Sequence, residues 1–161
     1  MRPGRSLGAA VLVWGLAAPA SALACRTAGP AAAARVPPDP CAAPETAEKA
    51  ALAQRLVKEK KHAEAEGAAK EALAACATHE AAVAALGESL VGQKKHDEAI
   101  ERMTSVLKAK ADLAYAYYWR GQAHYSKKQI DRMVGDFEMF VKLAPNAPEA
   151  AAVKQLLATF K

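Results

Sequence analysis

The sequence has few aromatic residues and a long interval without proline. Only 6% of its 161 residues are aromatic, which argues against a β-sandwich or a β-barrel. Seven of the nine prolines lie at or before Pro44, the other two are Pro145 and Pro148, and none lies between them. Alanine, the best helix former, occurs 42 times, and proline is the worst. The proline-free interval is therefore predicted to be helical, in a chain long enough for one domain with appendages.

The chain also lacks an apolar run long enough to cross a bilayer. The longest run, residues 7–18, has 12 residues, whereas a spanning helix needs about 20. Basic residues precede it and an Ala-Leu-Ala sequence at 22–24 follows it, as in a secretory signal peptide spanning residues 1–24. We therefore expect an exported protein of the bacterial periplasm or cell envelope. Cleavage would leave 20 basic and 17 acidic residues, and this small excess argues against a nucleic-acid partner.

Three cysteines, Cys25, Cys41 and Cys76, leave one thiol over if two of them pair. The sequence Ala-Leu-Ala-Cys at the predicted cleavage point is similar to a bacterial lipobox, although its leucine lies one place late. Two interpretations stay open: Cys25 carries a lipid that anchors an outer-membrane lipoprotein, or it follows an ordinary cleavage site. In the first case, Cys41 and Cys76 remain as a candidate disulfide in an oxidising compartment. Membrane contact is expected only through such an anchor.

Residues 25–45 are rich in proline and alanine, and four prolines fall from Pro37 to Pro44. Because proline disrupts helices, this segment is predicted to be an extended linker without regular helix.

The following segment is built from repeats of 34 residues. Residues 46–79, 80–113 and 114–147 align without gaps, and the sequence Lys-Lys-His at 60–62 recurs at 94–96. Each repeat contains two runs of apolar residues at helical spacing, separated by a short polar turn. A period of this length is typical of stacked helical hairpins, since one hairpin alone cannot bury its apolar face.

The repeats resemble the tetratricopeptide repeat family at its characteristic positions. The second repeat supplies Val83, Leu86, Gly87, Leu90, Ala99, Met103, Val106 and Ala111, and the third supplies Tyr117, Arg120, Gly121, His124, Met133, Phe137, Phe140 and Pro145. Departures from the pattern are Lys49, His124, Met133 and Phe140. The resemblance implies an all-α superhelix of three helix pairs. The expected pairs are 46–59 with 62–76, 80–93 with 96–110, and 114–127 with 130–143.

The end of the chain, residues 148–161, is predicted to form a helix that caps the stack. Val153, Leu156, Leu157 and Phe160 follow the spacing of one apolar helix face. At the other end, antiparallel packing of the first helix pair would bring Cys41 and Cys76 together.

Catalytic and metal-binding patterns are not found in the sequence. The serines lack a Gly-x-Ser-x-Gly context, the glycines form no phosphate-binding loop, and the histidines lack metal-ligand spacing. We therefore expect no enzymatic activity, no cofactor and no metal. The lysine pairs 60–61, 94–95 and 127–128 recur at the inter-helix turns. They are interpreted either as solvated turn residues or as a ridge that attracts an anionic partner.

The resemblance also implies a binding surface, because family members use the concave face formed by the first helix of each pair. The candidate partner-binding residues on this face are Gln54, Glu88, Tyr115, Tyr118, Trp119, Gln122 and Tyr125. Tyrosine and tryptophan frequently anchor protein partners. The carboxylate clamp of chaperone-binding relatives is absent. We expect a non-enzymatic module that binds a peptide or protein in the envelope. The alternative is an outer-membrane lipoprotein that is a structural or assembly factor of an envelope complex.

Overall fold

A computed structural model describes residues 39–160, and no strand occurs in this range. The seven helices are α1 (Pro44–Lys58), α2 (His62–Ala75), α3 (Glu80–Gly92), α4 (His96–Ala109), α5 (Ala114–Ser126), α6 (Ile130–Leu143) and α7 (Ala150–Ala158). The first six form three antiparallel pairs, and α1, α3 and α5 pack side by side as an inner layer. This arrangement confirms an α-α superhelix of three helix pairs with a terminal helix. The predicted signal peptide, Cys25 and most of the predicted linker lie outside the described residues.

The helix boundaries lie close to those predicted, but α1 begins earlier than expected. Its first residue is Pro44, which was assigned to a linker without regular helix. Proline is tolerated at the first helical position because its missing N–H would have no intrahelical partner there. The buried Thr46 hydroxyl donates to the Pro40 carbonyl at 2.9 Å and holds the preceding turn against the helix. The prediction of a linker through residue 45 was therefore wrong at its end.

The turn within each helix pair has the same backbone conformation. Lys60, Lys94 and Lys128 all have positive φ, between 58° and 62°. After α3, the Lys94 amide donates to the Val91 carbonyl and the Lys95 amide donates to the Leu90 carbonyl, both at 2.9 Å. This is the hydrogen-bond pattern of a Schellman motif, which satisfies the last carbonyls of a helix. The recurring lysine thus marks a repeated backbone turn that sets the antiparallel geometry of each pair.

The core changes in character along the stack. In the first pair it consists largely of buried alanines such as Ala53, Ala65 and Ala69, and the second pair adds the larger, fully buried Leu90 and Met103. In the third pair the large side chains Met133, Phe137 and Phe140 are fully buried, and α7 covers them with Ala150, Val153 and Leu157. The side chains of the core therefore become larger from the first pair to the third.

The terminal helix covers the stack with fewer residues than predicted. Phe160 lies beyond the end of α7 and is 43% exposed, so the expected apolar stripe stops at Leu157.

The ends of the first helix pair are joined covalently. A disulfide links Cys41, just before α1, with Cys76, which follows the last residue of α2; their Cα atoms are 4.9 Å apart. It closes a loop with a sequence separation of 35 residues. A loop of this length corresponds to roughly 3–4 kcal/mol of stability in the chain-entropy model. The bond therefore supports the pair whose core has the smallest side chains.

A buried carboxylate holds the first pair to the second. Glu66 on α2 is 8% exposed, and its two oxygens accept from Lys70 at 2.5 Å and from Lys95 and Gln93 at 2.8 Å each. Burial alone would raise the pKa of Glu66, but these donors outweigh it and lower the pKa to about 2. Gln93 also donates to the His62 carbonyl, so the end of α3 is bound to α2 at two points.

We expect Glu66 to make the fold acid-sensitive. The unfolded chain takes up a proton near pH 4.5, while the folded protein keeps the carboxylate ionised down to about pH 2. The stabilisation is complete above about pH 5 and is lost as the pH falls towards 2, in total roughly 3 kcal/mol. Urea unfolding from about pH 7 to about pH 2.5 should show a steeper loss in the wild type than in Glu66→Gln. The exposed neighbour Glu64 provides the control Glu64→Gln, and an equal pH dependence in Glu66→Gln and wild type would contradict the expectation.

Candidate functional site

The inner layer of helices lines an open cavity of about 570 Å³, which we call the inner groove. Its walls come from α1, α3 and α5 and from the segment that precedes α7. The lining residues are Gln54, His79, Glu80, Ala81, Ala84, Glu88, Tyr115, Trp119 and Glu149. This volume lies within the range of ligand-binding cavities. The groove is therefore the candidate functional site on the face from which binding was predicted.

Four of the seven predicted binding residues lie together in the inner groove. They are Gln54 from α1, Glu88 from α3, and Tyr115 and Trp119 from α5. Each occupies a position on the first helix of its pair, and stacking of these helices brings the positions onto one face. The repeat register thus located residues from three separate helices at one site.

The other three predicted residues do not line the inner groove. The Tyr118 ring packs 5.0 Å from Phe140 between ring centroids, and burial raises the pKa of its hydroxyl. Gln122 donates to that hydroxyl at 3.1 Å, while Tyr125 is 44% exposed outside the cavity. Tyr118 is a packing residue of the third pair, and Gln122 bonds to it.

Trp119 owes its position to a glycine on the neighbouring helix. A Cβ atom at Gly87 of α3 would lie only 2.3–2.5 Å from Trp119 atoms, including the tryptophan Cβ. The indole therefore packs directly on the α3 backbone, and its edge-on neighbour Tyr118 lies 4.8 Å away between centroids. These two contacts fix the ring at the wall of the groove.

The groove is acidic. Glu80, Glu88 and Glu149 line it together with no lysine or arginine, and none of them forms an ion pair with another residue of 39–160. Burial raises the pKa of Glu88, His62 opposes this increase, and the negative charge of Glu149 adds a smaller increase. The Tyr115 hydroxyl donates to Glu149 at 3.2 Å and orients that carboxylate at the groove edge.

Sequence reasoning missed three polar lining residues, His79, Glu80 and Glu149. His79 precedes α3, and its Nδ1 accepts from the Ala82 amide at 3.4 Å. Glu80 is the first residue of its repeat, and Glu149 follows the third repeat altogether. The sequence signal that could have indicated Glu149 was its position directly after Pro148, at the start of the predicted terminal helix.

Asp136 and His124, two buried polar residues outside the groove, are bonded to neighbouring side chains. Arg120 forms two hydrogen bonds with the buried Asp136, at 2.6 and 2.9 Å, and a third with Thr104. His124, the family departure on α5, is buried with its Nδ1 2.7 Å from the Gln129 side-chain oxygen. This network ties α5 to α4 and α6.

The lysines of the inter-helix turns are partly neutralised. Lys61 pairs with Glu59 at 2.9 Å, Lys95 pairs with Glu66, and Lys127 pairs with Asp97. Within residues 39–160, no group of three or more histidines, cysteines or carboxylates has the geometry of a metal site. No helix of this range has the length and apolar character needed to cross a membrane.

No protein-family model and no curated protein matches the chain, but several solved structures share its fold. The type III secretion translocator chaperone SycD of Yersinia enterocolitica has a TM-score of 0.64 and 13% identity, over 73% of this chain and 92% of its own. The Arabidopsis OM64 TPR domain has a TM-score of 0.63 and 16% identity, over 73% of this chain and 97% of its own. The first TPR domain of human RPAP3 has a TM-score of 0.60 and 18% identity, over 71% of this chain and 94% of its own. At these identities, the likeness shows a tetratricopeptide-type fold alone.

We expect Gly87→Ala to disturb the groove. The added methyl group meets Trp119, so α3 and α5 must separate, at a cost of about 1–3 kcal/mol that exceeds the gain in helix propensity of about 1 kcal/mol. Urea unfolding should show lower stability, and Trp119, the only tryptophan of residues 39–160, should change its emission spectrum.

The matched control is Gly135→Ala on α6, where an added Cβ meets nothing within 4 Å. This variant should gain up to about 1 kcal/mol. Equal changes in stability and emission in the two variants would contradict the role assigned to Gly87.

Proposed function

We propose that this protein is a non-enzymatic interaction module that holds a peptide or a segment of a partner protein in the inner groove. The observation that carries the proposal is the position of Tyr115 and Trp119 at the wall of an open cavity of about 570 Å³. Such amphipathic rings provide a large contact area at a low cost in side-chain entropy. The fold likeness to a translocator chaperone supports a role in holding another polypeptide.

The chemistry of the groove favours binding over catalysis. Its imidazole, His79, already accepts a backbone hydrogen bond at the start of α3. Its carboxylate Glu149 is bonded to Tyr115, and the remaining lining is Trp119, two alanines, one glutamine and two further glutamates. These groups recognise a ligand by charge and contact area, and no nucleophile is paired with a base among them.

A photo-crosslinking side chain at Ala81 tests the proposal. Ala81 lines the groove, whereas the control position Ala63 is exposed on α2, away from it. In native cells, the Ala81 crosslinker should capture a discrete polypeptide that the Ala63 crosslinker does not, and Tyr115→Ala should reduce capture several-fold. Identical products from both positions would reject the groove as the binding site.

We further propose that the module acts in the bacterial cell envelope, either free in the periplasm or as a lipoprotein anchored through Cys25. The observation that favours the second form is the bond between Cys41 and Cys76, which accounts for two of the three cysteines. An anchored form suits an assembly factor of an envelope complex.

Metabolic labelling separates the two forms. The lipoprotein should incorporate labelled palmitate, lose the label in Cys25→Ser and accumulate as a precursor with globomycin. Cys41→Ser with Cys76→Ser is the control and should keep the label. An unlabelled wild-type protein that fractionates with the soluble periplasm would exclude the anchor.

A further inference from the structure

The inner groove carries three carboxylates that form no ion pair within residues 39–160. Glu88 and Glu149 are close enough for the charge of one to disfavour ionisation of the other, and Glu80 lies in the same lining. Elsewhere in the molecule, the buried carboxylates Glu66 and Asp136 each have cationic partners within 3 Å. The groove therefore differs from the rest of residues 39–160, because its half-buried carboxylates have no cationic partner in this range and can pair with a cation of a ligand.

The aromatic wall of the groove suits a cation as well. Tyr115 and Trp119 lie one helical turn apart on α5 and both line the cavity beside Glu149 and Glu88. The face of an aromatic ring attracts a lysine ammonium or an arginine guanidinium, and tryptophan does so most strongly. The rings and the carboxylates thus both favour a positively charged ligand group in the same partly desolvated groove.

We infer that the inner groove takes a cationic segment of the partner polypeptide, with a lysine or arginine side chain between the carboxylates of Glu88 and Glu149 and the rings of Tyr115 and Trp119. The inference rests on the proposed function, since it specifies the chemistry of the segment that the groove holds. A bound cation relieves the repulsion between the two glutamates, and this gain is absent for a neutral ligand.

Negatively charged segments are disfavoured at the same site. A terminal carboxylate or an acidic side chain would meet three glutamates and no cationic side chain in the groove lining. The turn lysines Lys95 and Lys127 do not line the groove and are paired with Glu66 and Asp97. The groove therefore selects by charge and rejects the wrong sign as well as attracting the right one.

A random peptide library tests the inference on the full chain. Dodecapeptides displayed through their C-termini are selected on the wild-type protein, and the enriched sequences are made with blocked termini for affinity measurement by Trp119 fluorescence. Ala81→Trp fills the groove and identifies the peptides that bind there; circular dichroism confirms that the variant is folded. Glu88→Gln with Glu149→Gln removes the proposed charge contacts. Glu101→Gln with Glu138→Gln removes two exposed charges from α4 and α6 as the matched control.

The expected result is a set of lysine- or arginine-rich peptides that Ala81→Trp excludes. Their affinity should fall at least about tenfold in Glu88→Gln with Glu149→Gln and change less than about twofold in the control. Groove-dependent peptides that are neutral or acidic, or that keep their affinity without the two charges, would overturn the inference and leave the proposed function standing. Peptides indifferent to Ala81→Trp, or a library without binders, would overturn both.

Discussion

The inner groove depends on how closely α3 and α5 approach at Gly87. The glycine lets the Trp119 ring rest on the α3 backbone, where a Cβ atom would lie 2.3 Å from it. Trp119 therefore joins the main core through α3 and also forms a wall of the groove through its other side. A residue with a side chain at position 87 would separate the helices and alter both. One missing methyl group thus couples the packing of the stack to the shape of its binding surface.

The distribution of charge follows from the two layers of helices. Glu66 joins α2 to the turn after α3 in the next repeat, and Asp136 joins α6 to Arg120 of α5 within the third pair. These pairs use cations for structure. Glu80 and Glu88 of α3 form no ion pair within residues 39–160, and both line the groove. The acidity of the groove is therefore a local property that the net charge of +5 of the whole chain does not reveal.

The repeat period predicted the fold because every repeat forms the same pair of helices joined by the same turn. The first helix of each pair ends just before the turn at Lys60, Lys94 or Lys128, and the backbone conformation of this turn recurs. A 34-residue register therefore predicts the helix boundaries to within one or two residues. The same register placed Gln54, Glu88, Tyr115 and Trp119 in the groove. It failed for Tyr118, since the adjacent positions 118 and 119 differ by about 100° around the helix and packing decides which ring turns inward. It also missed Glu149, which belongs to no repeat and enters the groove only because α7 packs on the third pair.

The aromatic residues of the third pair both fill its core and form the wall of the groove. Phe137 and Phe140 fill its interior, and Tyr118 and Tyr115 contact Phe140 at centroid distances of 5.0 and 5.9 Å. This buried cluster restrains the side chains that form the groove wall, because Tyr115 is held by Phe140 on one side and by its bond to Glu149 on the other. A wall fixed before the ligand arrives loses little conformational entropy on binding. The alanine-rich pairs lack such a cluster, so the third pair is where the inner face has both a rigid surface and aromatic contact area.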